Sequence, residues 1–176
     1  MTSKLLALIL TFFACCGSAA QAHDSPPPQA PAAKVAIEGA VQQAQSLSVD
    51  DLRQFAADQI VELRLPGRET GTAPSTLKGV RLRALLERAK VLTADHNTVK
   101  KLAIIATATD GYKAVFSWSE LFNSELGDSV LVLFERDGKP LAASEGPLAL
   151  ISAKDIRTGP RHVKWLQTIE VRQITD

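Results

Sequence analysis

Apolar and polar positions change period several times along the chain. The changes predict a series of short strands interrupted by two or three helices. Val35 to Val41 is an apolar-rich run that opens the domain as a strand. Ser48-Val49-Asp50-Asp51-Leu52 sets a serine three residues ahead of a carboxylate, a capping-box start for a helix running to about Ala57. From Gln59 to Leu65 the pattern alternates, with Val61, Leu63 and Leu65 on one face and Ile60, Glu62 and Arg64 on the other, which describes a half-buried strand. Pro66 to Lys78 is rich in Pro, Gly, Thr and Ser and reads as a loop, long enough to be functional. Leu82, Leu85, Leu86 and Ala89 recur at helical spacing and predict an amphipathic helix over Leu82 to Ala89.

The second half is dominated by strands and turns. Leu102 to Thr107 is a β-rich run, Asp110-Gly111 is a hairpin turn, and Tyr112 to Phe116 is its second strand. Ser117 to Leu126 suggests a short helix with Trp118, Leu121 and Phe122 on one face. Val130 to Glu135 is almost continuously apolar, hence a strand buried on both faces. Asp137-Gly138 forms a second tight turn, Gly146-Pro147 leads into Leu148 to Ile151, and Val163 to Ile174 closes the chain as a strand, Ile169 and Val171 alternating with Glu170 and Arg172. Strands and helices do not alternate regularly, so the expected class is α+β, with mixed and mostly antiparallel sheets, rather than a doubly wound parallel sheet.

The first 22 residues stand apart. Lys4, the apolar run Leu5 to Cys16 and Ala20-Gln21-Ala22 have the order of a cleaved secretory signal, and the run is too short for the roughly 20 residues that span a bilayer. Lipidation at Cys15 or Cys16 ranks second, because Phe12-Phe13-Ala14 is a poor lipobox. Residues 23–34, with Pro26, Pro27, Pro28 and Pro31, read as an extended tether ahead of a single domain over 35–176. The expected location is periplasmic or secreted, with no membrane span after cleavage. Both cysteines of the chain leave with the signal, so the mature domain has no disulfide, thiolate ligand or thiol nucleophile. Loss of Lys4 takes the formal charge from +1 to zero, leaving no field to steer a nucleic acid.

Enzyme signatures are sparse. The sequence has no G-x-S-x-G elbow, P-loop or G-x-G-x-x-G. His23, His96 and His162 lie far apart, so no metal site is expected, and the catalytic residues are unassigned. Asp50 and Asp51 are explained by the first turn of a helix, and Glu120, Glu125 and Asp128 by a solvated face. One segment carries a cationic cluster: Arg157, Arg161, His162 and Lys164 beside Gly159-Pro160 and Trp165. Arginine forks and exposed backbone N–H groups suit a phosphate or other oxyanion, although an ordinary exposed loop accounts for the same charges.

A resemblance adds weight to the first reading. Leu47-Ser48-Val49-Asp50-Asp51-Leu52, Gly79-Val80-Arg81-Leu82, Asp110-Gly111-Tyr112, Trp118-Ser119-Glu120-Leu121, Val130-Leu131-Val132-Leu133, Asp137-Gly138-Lys139-Pro140-Leu141, Gly146-Pro147-Leu148 and Val163-Lys164-Trp165-Leu166 occur in that order. The series resembles the oxidoreductase molybdopterin-binding domain, the fold of sulfite oxidase, over roughly residues 35–174. The resemblance implies a molybdenum cofactor in complete members. It also implies that Arg161, His162 and Lys164, with Arg157 nearby, match the segment that grips the pterin and its phosphate. In complete members a cysteine thiolate in the loop matching Pro66 to Lys78 binds the metal, and this loop has no cysteine.

Three functions follow as alternatives: a non-catalytic module binding a small anion, a pterin or a protein partner; a molybdenum oxidoreductase that holds its cofactor without a cysteine; or a structural or signalling partner protein. Period-two alternation from Val163 to Trp165 would put His162 and Lys164 on one face, with Arg161 reaching a shared pocket that faces the Pro66 to Lys78 loop. Exposed charge contributes little to stability, so Arg161→Ala is expected to weaken anion binding and leave the fold intact.

Overall fold

A computed structural model describes residues 34–67, 73–92, 95 and 97–175. The signal and nearly all of the tether, and with them His23 and His96, lie outside the described residues. The class is α+β, as the pattern predicts. Among the described residues eleven strands form two sheets, with three short α-helices between the strands.

The first sheet has the order β2-β1-β11-β5-β6, from β1 (Lys34–Gly39), β2 (Gln45–Ser48), β5 (Leu102–Ala108), β6 (Lys113–Ser117) and β11 (Leu166–Gln173). The β1–β11 pair is parallel, and every other named pair in both sheets is antiparallel. The second sheet runs β10-β9-β7-β4-β3, from β3 (Ile60–Leu65), β4 (Ser75–Arg81), β7 (Val130–Arg136), β9 (Ala149–Ser152) and β10 (His162–Val163), with β8 (Lys139–Pro140) also paired to β7.

The main core lies between the sheets. It joins Val35, Ile37, Ile104, Phe116 and Ile169 of the first sheet to Val80, Val132 and Leu150 of the second, and α2 (Leu82–Ala89) fills it with Leu82, Leu85 and Leu86. Each such side chain, fully buried, contributes about 1.5–3 kcal/mol. The opposite face of the second sheet carries another apolar cluster of Leu77, Leu131, Leu133, Ala149 and Ile151. Leu131 and Leu133 point to this cluster while Val130, Val132 and Phe134 point to the main core, so β7 is buried on both faces, as its unbroken apolar run requires.

Local signals hold where they are strongest. Ser48 and Asp51 form the reciprocal capping box of α1 (Val49–Arg53), which ends four residues earlier than the sequence suggests. Ser117 and Glu120 form a second box that starts α3 (Trp118–Phe122), and the expected helix through Leu126 continues instead as a 3-10 turn over Glu125–Ser129.

Two expectations are corrected. The loop ends at Pro74, not Lys78, because Ser75–Arg81 is a strand paired with both β3 and β7 and Leu77 is fully buried. Polar residues at Thr76 and Lys78 concealed a strand whose apolar neighbours pack on both faces. The closing strand is also two strands. Trp165 adopts φ +52, and the chain passes from β10 in the second sheet to β11 in the first. Hydrogen bonds fix the crossing: Trp165 N–H donates to Glu145 C=O at 2.9 Å, Leu166 N–H to Leu148 C=O at 2.9 Å, and Thr109 N–H to Trp165 C=O at 3.0 Å. The alternation that would place Lys164 beside His162 therefore stops at Val163.

Candidate functional site

The turn before β9 positions the most buried carboxylate of the described chain. Glu145 and Gly146 both donate their N–H groups to Ala142 C=O, and Gly146 adopts φ +88. A Cβ at Gly146 would stand 2.7 Å from the Trp165 ring, so only glycine both allows the backbone angle and leaves room for the indole. Gly146→Ala is expected to cost about 1–3 kcal/mol of stability, read as a lowered midpoint in urea.

Glu145 is only 6% exposed. Its Oε1 accepts from Arg136 Nη2 at 2.8 Å and lies 2.7 Å from His162 Nε2, and its Oε2 accepts from Arg136 Nε at 3.1 Å. Arg136 Nη1 in turn donates to Ser75 Oγ at 3.1 Å. Burial alone would raise the Glu145 carboxyl pKa, but the hydrogen bonds from His162 and Arg136, with their charges, overcome it and hold it down to about 2. An ionised carboxylate only accepts, so the proton in the His162 contact belongs to Nε2. The chain Ser75–Arg136–Glu145–His162 thus ties β10 to the base of the β3–β4 loop through β7.

Arg161, the neighbour of His162, takes part in a different network. It ends the 3-10 turn Gly159–Arg161 and turns toward β6 and α3. Its Nε donates to Asp155 Oδ2 at 2.7 Å, its Nη2 to Asp155 Oδ1, and its Nη1 to Glu120 Oε1 at 3.1 Å. Its guanidinium carbon lies 4.6 Å from the centroid of the buried Phe116 ring. Asp155 Oδ1 also accepts from Ser152 Oγ at 2.7 Å, and Glu120 Oε2 accepts Ser117 N–H at 2.7 Å as part of the α3 cap. The hydrogen bonds from Arg161, helped by Ser152 and opposed by burial, hold the Asp155 carboxyl below its ordinary value. For Glu120 burial pushes upward, and the Ser117 N–H and Arg161 bonds prevail downward.

The four cations singled out in the sequence therefore do not form one pocket. His162 meets Glu145, and only through Arg136 is it linked to Ser75 at the start of β4. Arg161 is neutralised by two carboxylates, with 22% of its side chain exposed. Arg157 and Lys164 are exposed and enter no ion pair among the described residues. The expectation that Arg161 is an exposed charge is overturned, while Glu120, 40% of whose side chain is exposed, lies on a solvated face and also pairs with Arg161. Ser75, Arg136, Glu145 and Asp155 went unmarked in the sequence. The only local cue was a carboxylate directly before Gly146-Pro147 in apolar surroundings. Among the described residues no group of three or more His, Cys, Asp or Glu side chains could hold a metal, and no helix is long and apolar enough to cross a membrane.

Comparison with known proteins agrees with this architecture. A similar solved structure is the sulfane dehydrogenase SoxCD from Paracoccus pantotrophus, with a TM-score of 0.59 at 18% sequence identity. The likeness covers 81% of this chain and 39% of that one, and at this identity it concerns the fold. Among curated proteins none matches the sequence. The family model described as "Oxidoreductase molybdopterin binding domain" matches residues 23–175. This chain belongs to the oxidoreductase molybdopterin-binding domain family.

Proposed function

We propose that this chain is an exported, non-catalytic member of its family that binds a small anion or a partner instead of turning over a substrate on molybdenum. The observation that carries the proposal is the pairing of Arg161. A cation that is to grip a pterin phosphate must have charge to spare, and Arg161 already spends three of its five N–H groups, one from each nitrogen, on Asp155 and Glu120. Its cluster carries one positive charge against two negative ones, a poor setting for a phosphate. The donor set for a thiolate-held metal is absent too, because residues 66–74 contain no cysteine and the chain's cysteines are Cys15 and Cys16. The residues present do not fit the family's cofactor.

Of the cations in the 157–164 segment, Arg157 and Lys164 remain on the surface to meet an anionic group. Export rests on the order of Lys4, the apolar run and Ala20-Gln21-Ala22. The test is elemental and pterin analysis, with intact mass, of the protein recovered from its own exported fraction. The expected outcome is a chain beginning at His23 with molybdenum far below one per chain. Molybdenum near one per chain would overturn the non-catalytic reading, and a chain retaining Met1 would overturn export by cleavage.

A further inference from the structure

We propose that the concavity where β5 begins and β6 and β11 end is a binding site for a small amphipathic anion, an apolar tail carrying a carboxylate. Three strand ends converge there. Ala103 of β5 pairs with Ser117 of β6, Leu102 pairs with Gln173 of β11, and Ile174 N–H donates to Lys101 C=O at 2.8 Å. Together they surround an open cavity of about 440 Å³. That volume falls in the range of about 300–1,000 Å³ typical of small-molecule sites.

The lining divides into an apolar part and a cationic part. Val115 and Ile174 both line the cavity and are 54% and 55% exposed, so two β-branched side chains lie open to water on either side of β5, with Ala103 between their strands. Leaving such surface wet forgoes about 25 cal/mol for each Å² that a ligand tail could cover. At the same opening stand Lys100 and Lys101, from the 3-10 turn Val99–Lys101. Lys100 Nζ is 3.2 Å from Asn97 Oδ1, a neutral partner, and Lys101 is in no ion pair among the described residues.

No carboxylate is among the described lining residues. Glu120, close by in sequence, directs its oxygens to Ser117 N–H and Arg161. Two ammonium groups with no carboxylate partner among the described residues, above an exposed apolar surface, complement a negative head on an apolar tail. Because β6 is the outermost strand of its sheet, the cavity stays open along one side and admits a tail longer than its floor. The groove shares Phe116 and Ser117 with the surroundings of Arg161 but none of the ionised groups paired there, and it shares no residue with the Glu145 network. A molybdenum-loaded chain would keep it, so its test is separate from that of the cofactor question.

The experiment titrates decanoate into the purified chain and follows backbone amide shifts. Decanol serves as the neutral-head control, and Lys100→Ala/Lys101→Ala and Val115→Asp are the variants. All three positions are exposed, so the fold is expected to tolerate them. The expected result is saturable decanoate binding, with shifts centred on residues 100–103, 115–117 and 174. Affinity should fall about tenfold in the double lysine variant and for decanol, the scale of one charge-assisted hydrogen bond. Val115→Asp should abolish binding. Absence of decanoate binding, shifts centred elsewhere, equal affinity for decanol, or unchanged affinity in either variant would overturn the proposal.

Discussion

Arg161→Ala is expected to lower the unfolding free energy by about 2–4 kcal/mol, against a normal surface substitution of about 0.5 kcal/mol or less. The side chain fastens the turn after β9 to the continuous β6–α3 segment. It holds the turn after β9 through Asp155, the capped start of α3 through Glu120, and the inner face of β6 through the Phe116 ring. Removing it also leaves Asp155, whose side chain is 13% exposed, with an uncompensated charge and only Ser152 Oγ as a donor. That desolvation penalty, more than the lost attraction, sets the size of the effect. Arg161→Lys should recover only part of the loss, since an ammonium cannot bridge Asp155 by two parallel bonds and reach Glu120 as well. Urea unfolding of the two variants checks both statements. A cost under about 0.5 kcal/mol for the alanine variant would return Arg161 to the status of an exposed charge.

Glu145→Ala carries a comparable or larger penalty, about 3–5 kcal/mol, because it takes a buried carboxylate away from the Arg136 guanidinium and the His162 ring at once. The same group makes stability depend on pH. Its carboxyl is held at about 2 in the fold against an ordinary value of 4.5. A carboxylate whose pKa is depressed by folding stabilises the folded state fully above its unfolded pKa. That stabilisation is lost as pH falls from about 4.5 through about 2, and over the whole window it amounts to about 3 kcal/mol. Asp155 and Glu120, both lowered, act in the same direction. Comparing urea midpoints at roughly pH 6 and roughly pH 3 should show a marked drop in the parent chain and a smaller one in Glu145→Gln. An equal drop in both would mean that Glu145 does not carry the acid sensitivity.

How much of this could be read from the residues depended on the distance over which each signal acts. Leu82–Ala89 was legible to the residue because its apolar spacing lies within one helix, and the Ser48 box because its partners are three residues apart. β4 was half hidden: Thr76 and Lys78 look like loop residues until β3 and β7 supply pairing on either side. The break between β10 and β11 depends on backbone bonds from Trp165 and Leu166 to Glu145 and Leu148, which no periodicity in 163–174 encodes.

The same holds for the site. The cationic run 157–164 was visible as charge, but its meaning rests on partners far along the chain. Glu120 is 41 residues from Arg161, Glu145 is 17 from His162, and Ser75 is 61 from Arg136. Residue types announced an anion-binding segment; tertiary pairing turned its arginine inward.

The most direct test of that inward pairing is a double-mutant cycle on Arg161 and Asp155, built from Arg161→Ala, Asp155→Ala and the combined variant, each measured by urea unfolding. A structural ion pair of this geometry should give a coupling of about 1–3 kcal/mol, with the double variant losing far less than the sum of the single ones. Additive losses, within about 0.3–0.5 kcal/mol, would contradict it and leave the Arg161 guanidinium free to meet a phosphate.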